Sequence, residues 1–296
     1  MRILHTIADM QAACHELRLA GKRIGFVPTM GALHAGHMSL VKAARGQSDV
    51  VAVSIFVNPL QFGPSEDLAK YPRNFESDRQ QLEAAGVALL FAPEASEMYP
   101  KDASTLVYVE GLSEKLDGAS RPGHFRGVTT VVAKLFEIVR PERAFFGQKD
   151  AAQVAVIRKM VRDLNMDVQI IVCPIVREHD GLAMSSRNAY LSPKERQQGL
   201  VLYRALTRVQ ALADRGEHDS SRLVAAGQAV IADEPGARLD YFQIVDPDTL
   251  NPVTDVSHFA LVAVAAWFGS TRLIDNLLLQ TGSAAGGPSM AGEQGE

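Results

Sequence analysis

Only two cysteines occur in 296 residues, Cys14 and Cys173, far apart and outside any Cys-x-x-Cys pair, so a disulfide framework is excluded. Each lies among apolar neighbours, and both are expected as buried, reduced core residues. An excess of charge of one sign is also missing. Thirty Lys and Arg against 34 Asp and Glu leave a net charge of −4, which gives no global basic footprint for nucleic acid or an anionic membrane. Long apolar runs are absent too: the longest, 259–268, has ten residues, about half of the roughly 20 that a membrane-spanning helix needs. Met1-Arg2-Ile3-Leu4-His5 leads straight into an amphipathic pattern, without an apolar stretch or a small-residue cleavage site. No secretory signal is therefore expected, and the chain is assigned to the cytoplasm. What is present is an ordinary globular balance, 47% apolar and 22% charged residues, over a length that suits two domains.

The first half alternates two periods. Ile7, Met10, Cys14 and Leu17 recur at helical spacing, and an apolar run at 24–27, closed by Pro28, follows as a strand. Further strands are expected at 50–57, 88–92, 144–146 and 168–173. Val128, Val131, Val132, Leu135, Phe136 and Val139 make one helical stripe, and Val154, Ile157, Val161 and Leu164 another. Strands joined by crossover helices imply a Rossmann-like, doubly wound parallel α/β sheet over 1–177. After Arg177 the character changes. Helices expected at 193–213 and 221–233 precede strands at 240–245, 259–268 and 272–276 with no crossover helix between them. That pattern predicts a smaller α+β domain with an antiparallel sheet over 178–281. Residues 282–296 are small and polar and are expected to be a disordered tail.

Four segments carry chemistry. Pro28-Thr29-Met30-Gly31-Ala32-Leu33-His34-Ala35-Gly36-His37 lies between the first of these strands and a helix, at the strand end where such sheets bind ligands and where a helix N-terminus favours phosphate. Two histidines three residues apart can both point at that phosphate. The alternative is one capping and one packed ring. Met184-Ser185-Ser186-Arg187-Asn188 puts two hydroxyls and a guanidinium in a row, donors suited to anionic oxygens or, read alone, a capped polar loop. Gly147-Gln148-Lys149-Asp150 ends a strand with a cation placed to meet a nucleotide phosphate, and Gln153 lies one helical turn on. Asn58 and Gln61 are neutral amides among apolar residues, fit to read hydroxyl and carboxylate oxygens. An Asn-Pro turn accounts for Asn58 but not for Gln61.

Paired, the His-x-Gly-His and Met-Ser-Ser-Arg-Asn loops resemble the signatures of the nucleotidyl-transferring superfamily that includes class I aminoacyl-tRNA synthetases. With Phe56-Val57-Asn58-Pro59-Leu60-Gln61-Phe62, Tyr71-Pro72-Arg73, Arg121-Pro122-Gly123-His124-Phe125-Arg126-Gly127-Val128 and Gly-Gln-Lys-Asp, in that family's order, the chain up to about Gln280 resembles the pantoate–β-alanine ligases. The resemblance implies condensation of pantoate with β-alanine through a pantoyl adenylate, with ATP and Mg²⁺ required, a C-terminal lid and a homodimer. It further implies ATP contacts at Met30, Gly31, Ala32, Leu33, His34, Ala35, Gly36, His37, Gly147, Gln148, Lys149, Asp150, Val176, Met184, Ser185, Ser186 and Arg187. His37, His34, Lys149 and Arg187 would then act on the reacting phosphates, His37 as proton donor. Gln61 would contact both pantoate and β-alanine, and Gln153 pantoate. Gln148 stands where many members carry Glu. Asp78, beside Ser77, lies in the stretch resembling the family's magnesium region, and no metal ligand is assigned.

Three other functions fit parts of this pattern. A nucleotidylyltransferase would stop after adenylation and use a phosphate nucleophile, for which added Arg or Lys would replace Gln61 and Gln153. An RNA-binding remnant of a tRNA synthetase is disfavoured by the net charge of −4. A metal hydrolase built on His34 and His37 lacks a further ligand cluster in the sequence.

Overall fold

In the computed structural model of the chain, which describes residues 1–63 and 66–280, six strands form one parallel sheet. They are β1 (Arg2–Leu4), β2 (Ile24–Thr29), β3 (Val50–Ile55), β4 (Leu89–Phe91), β5 (Arg143–Gly147) and β6 (Gln169–Cys173), in the spatial order β1-β4-β3-β2-β5-β6. The helices between them are α1 (Ile7–Leu19), α2 (Ala35–Gln47), α3 (Phe75–Ala84), the short α4 (Ala95–Met98) and α5 (Asp117–Ser120), α6 (His124–Val139) and α7 (Ala151–Asp163). Side chains alternate across the pleat. Phe26, Ala52, Phe91 and Phe146 join a core made with α1, α6 and α7. Val27, Val53, Leu90 and Phe145 join a second core with α2 and α3. Burial on both faces is why these strands read as continuous apolar runs. Cys14 and Cys173 are buried and unpaired in these cores, as expected.

β2 and β1 depart from the sequence reading for physical reasons. β2 continues through Pro28, which pairs with Ser54 of β3. A proline fits inside this central strand because pairing with β5 involves only Gly25 and Phe26, so no bond to β5 is lost where the N–H is missing. β1 was not expected, because three residues are too few to show a period.

The rest of the chain forms α8 (Pro193–Gly199), α9 (Val201–Ala213), α10 (Ser220–Ala232), β7 (Ala237–Val245), β8 (Phe259–Phe268) and β9 (Thr271–Gln280). The last three make an antiparallel sheet in the order β7-β8-β9. The single helix expected at 193–213 is two, because the Leu200 N–H bonds back to Gln197 O in one tight turn. Ala260, Val262, Val264, Ala266 and Phe268 pack against α9 and α10, whereas Leu261 and Ala263 enter the first core. β8 is apolar throughout because one face meets its own helices and the other meets the parallel-sheet unit. The tail expected from 282 lies outside the described residues.

Candidate active site

The strand order reverses between β2 and β5: the chain steps outward from β2 to β3 and β4, then returns to β5 on the other side of β2. A crevice opens at the carboxyl ends of those two strands, as it does at such switch points. Four segments distant in sequence line it, through Met30, His34, Gly36 and His37, then Asn58 and Gln61, then Gly147, Lys149, Asp150 and Gln153, then Val176, Met184, Ser185, Ser186 and Arg187. Val128, Val131, Val132 and Leu135 of α6 give its floor an apolar surface. A wider outer cleft shares Lys149, Asp150, Gln153 and Arg187 and extends to Arg272 and Trp267 of the antiparallel sheet.

The loop before α2 is closed by its own side chains. Gly31 and Ala32 are left-handed, with φ of 82° and 52°. The Gly31 N–H donates to Thr29 Oγ1 at 3.1 Å, and those of Ala32 and Leu33 donate to the Asp78 carboxylate at 2.8 Å each. His34 N–H donates to His37 Nδ1 at 3.4 Å and Gly36 N–H to His34 Nδ1 at 3.1 Å. Both rings therefore cap backbone, and neither Nδ1 is left for a ligand. The backbone N–H groups at 31–34 and 36 are thus satisfied within the chain, and the side chains of His34 and His37 face the crevice. Each ring, with Nδ1 accepting, carries its proton on Nε2. Burial, followed by the neighbouring His34, pushes the His37 pKa down to about 3. Burial and Lys149 lower that of His34. Both rings are neutral N–H donors at physiological pH. Gly31, Ala32, Leu33 and Ala35 stand behind the cavity wall.

Gln61, buried at the end of a 3-10 turn (Pro59–Gln61), is oriented by Asn58. Asn58 Oδ1 accepts from Leu60 N–H at 3.3 Å and Tyr99 Oη at 2.9 Å, while its Nδ2 donates to Gly127 O and Gln61 Oε1, both at 3.0 Å. A backbone donor and a backbone acceptor fix the Asn58 amide, which in turn fixes Gln61 with its Nε2 toward Met30 Sδ at 3.1 Å. Asn58 thus spends its hydrogen bonds on the protein. The Gln61 carbonyl accepts from His124 Nδ1 at 2.8 Å and Arg121 Nη2 at 3.2 Å. Burial, then Arg121, pushes the His124 pKa down to about 4.

Lys149 Nζ lies 3.4 Å from Asp150 Oδ1. Burial raises the Asp150 pKa, but Lys149 and then Arg187 hold it below the usual carboxylate range, so two of the four segments meet electrostatically at this carboxylate. Gln148 turns away from the cavity: its Nε2 donates to Asn276 Oδ1 at 3.0 Å, and Asn276 Nδ2 donates back to Gln148 O and Lys149 O at 3.0 and 2.9 Å. Ser185 caps a 3-10 turn by accepting from Arg187 N–H at 3.2 Å, and Ser186 Oγ sits 3.3 Å from Tyr71 Oη. The Gln153 side chain has no hydrogen-bond partner among the described residues. No group of three or more His, Cys, Asp or Glu residues is arranged to hold a metal among the described residues.

Residues 2–278 match the family described as Pantoate-beta-alanine ligase. The chain belongs to the pantoate–β-alanine ligase family. A pantothenate synthetase of Koribacter versatilis is 66% identical over 288 residues, 97% of this chain and 99% of that protein. The crystal structure of the pantothenate synthetase of Thermus thermophilus superposes with a TM-score of 0.89 at 50% identity, covering 94% of this chain and 99% of that one. The pantoate–β-alanine ligase of Francisella tularensis, solved with beta-gamma ATP and β-alanine, gives a TM-score of 0.78 at 35% identity over 94% of this chain and 97% of that one. As a pantoate–β-alanine ligase the protein forms an amide bond and yields pantothenate. Within this ligase, Asp78, Tyr99 and Asn276 hold the segments that line the crevice, and sequence reasoning gave them no such part. Their partners lie 41 to 128 residues away, so spacing carried no signal. Arg121 and His124 were legible only as members of the Arg-Pro-Gly-His motif.

Proposed function

We propose that the crevice makes pantothenate in two steps. Pantoate binds over the α6 floor, its oxygens met by Gln61 Nε2 and the Gln153 amide. ATP lies across the β2 and β5 strand ends, with its base toward Val176. The pantoate carboxylate attacks the α-phosphorus, the bond to the bridging oxygen breaks, and pyrophosphate leaves with its electron pair. The β-alanine amine, as the free base, then attacks the acyl carbon of pantoyl adenylate, loses a proton and expels AMP. Phosphoryl chemistry of this kind asks mainly for positioning and charge stabilisation. Lys149 and Arg187 supply fixed positive charge, Ser185 and Ser186 hydroxyl donors, and His34 and His37 neutral Nε2–H donors. With its pKa lowered by burial, His37 meets the leaving pyrophosphate as a neutral Nε2–H donor.

The arrangement fits a magnesium ion carried by the nucleotide. Asp150 is the one carboxylate among the described residues that lines the inner cavity, and Asp78 is already bonded to the loop. Mg²⁺ usually binds through one or two carboxylates plus substrate phosphates. Bound there, it would neutralise triphosphate charge with Asp150 as its protein ligand.

The observation that carries the reading is the convergence of the four segments on one crevice with an apolar floor and a cationic rim, supported by the ATP and β-alanine held by the Francisella tularensis relative. The division at 177/178, with the second unit as a lid, is part of the same proposal. So is a homodimer, for which exposed Leu106 and Tyr108 offer apolar surface on a segment anchored through Val107 to Thr129 and Thr130 of α6. A cytoplasmic location is supported by the free, buried cysteines. No helix among the described residues is long and apolar enough to cross a membrane. The deciding experiment is pantoate-dependent exchange of labelled pyrophosphate into ATP without β-alanine. Exchange is expected, and its absence in an enzyme that still makes pantothenate would refute the adenylate route.

A further inference from the structure

Asp78 sits in the first turn of α3, 2% exposed, and neither of its oxygens faces the crevice. Oδ2 accepts from Ala32 N–H and Oδ1 from Leu33 N–H, each at 2.8 Å. Two successive residues in the left-handed region, Gly31 at φ 82° and Ala32 at φ 52°, turn consecutive N–H groups toward one point, the backbone concavity that elsewhere collects anions. Here the anion is built in. A Cβ on Gly31 would lie 3.1 Å from Asp78 Oδ2, so the carboxylate also packs directly on the glycine. Ala32, which has no glycine freedom, holds its conformation against this partner.

We propose that Asp78 is a positioning residue: its carboxylate fills the concavity of the 31–34 loop, sets the register in which His34 and His37 cap the start of α2, and keeps those N–H groups closed to phosphate. The nucleotide is then met by the Nε2–H groups of the two rings. The idea rests on the reading that His34 and His37 serve the nucleotide. It adds that their placement depends on an acidic residue 45 positions downstream of Leu33.

The test is D78N in the full chain, assayed with pantoate, β-alanine and Mg·ATP. The amide is isosteric, but its nitrogen sets a donor against a backbone donor. A displacement of about 1 Å at a reacting site can cost on the order of 10²-fold. A fall of that size in kcat is expected, with a raised KM for ATP and an unchanged KM for pantoate. Nitrogen-15 spectra of the histidines should show the Nε2–H form at His34 and His37 in the wild type and a mixture of tautomers in D78N. Wild-type kcat in D78N, equal rises in both KM values, or unaltered histidine spectra would overturn the proposal. D78S, which removes the carboxylate without setting an amide donor against the loop, carries the same expectation, and failure of both variants to fold would make Asp78 a residue of the fold alone. H37A separates the two levels. If H37A forms adenylate at the wild-type rate, the nucleotide reading of the loop fails, while the spectra of D78N still decide whether Asp78 sets the rings.

Discussion

Neutral buried histidines make stability depend on pH in a direction that can be worked out. The His37 pKa is lowered from 6.5 to about 3, so as pH falls below 6.5 the unfolded chain takes up a proton that the folded chain does not. The contribution is full above 6.5 and is lost as pH falls toward 3, at a limiting slope of about 1.4 kcal/mol per pH unit. Between pH 7.5 and 5.0 this one ring should cost about 2 kcal/mol. Urea unfolding of wild type and H37Q at those two pH values measures it: the wild type should lose about 2 kcal/mol more than the variant, and equal losses would mean that His37 is protonated in the native state. For Lys149→Ala, single-turnover adenylate formation should slow on the order of 10²–10³-fold, the cost of one preorganised charge stabiliser. A rate near wild type would remove Lys149 from the phosphates. His37, Lys149 and Arg187 were legible because their chemical types recur in motifs with a phosphate logic. Asp78 was read only as part of the stretch resembling the family's magnesium region, since a carboxylate clamping a loop looks, in sequence, like any carboxylate.

Elements were legible wherever burial imposed a period. The α6 stripe and the runs of β3 and β8 were found because tight packing on one face or two leaves little choice of residue. β1, three residues long, and the break at Leu200 were not, because one is too short for a period and the other continues the same apolar stripe. Close approach between elements is equally hidden, and Gly127 shows its consequence. A Cβ there would lie 2.3 Å from Leu60 O and 2.6 Å from Gln61 N, so α6 can lie against the 59–61 turn only with glycine at this position. Gly127 O also accepts from Asn58. G127A must push that turn away, an overpacking cost of about 1–3 kcal/mol. The loss should fall on the group that Gln61 serves: KM for pantoate up at least tenfold, KM for ATP changed little. Steady-state kinetics decides this, and a uniform loss across both substrates would detach the turn from pantoate.

At the scale of the whole molecule, the two units are joined by a seam that limits how they can move. Arg272 of β9 bonds across it to Asp117 at 2.7 Å, and Arg177 to buried Asp275 at 2.6 Å. Asn276 grips the carbonyls of Gln148 and Lys149, and Leu261 and Ala263 share the first core. Detaching the antiparallel sheet would strand these partners, since breaking a buried pair costs about 3–5 kcal/mol. The lid proposed above would close by a tilt about this seam, carried by the segment at 184–187, which approaches the first loop where Met184 Cβ lies 3.8 Å from a Cβ placed on Gly36. In that proposal a nucleotide bridging His37 and Arg187, which line one crevice, would favour the closed arrangement to the extent that it binds it more tightly. In the wild type, a non-hydrolysable ATP analogue should slow hydrogen exchange at 184–188 and 30–37 and leave β8 unchanged, because the seam does not open. In R187A the protection at 184–188 should shrink and pantoyl adenylate should leak to solvent faster, where water hydrolyses it. Protection that spreads through β8 would show that the sheet moves as a free lid, and protection unchanged in R187A would make 184–187 a static wall of the crevice.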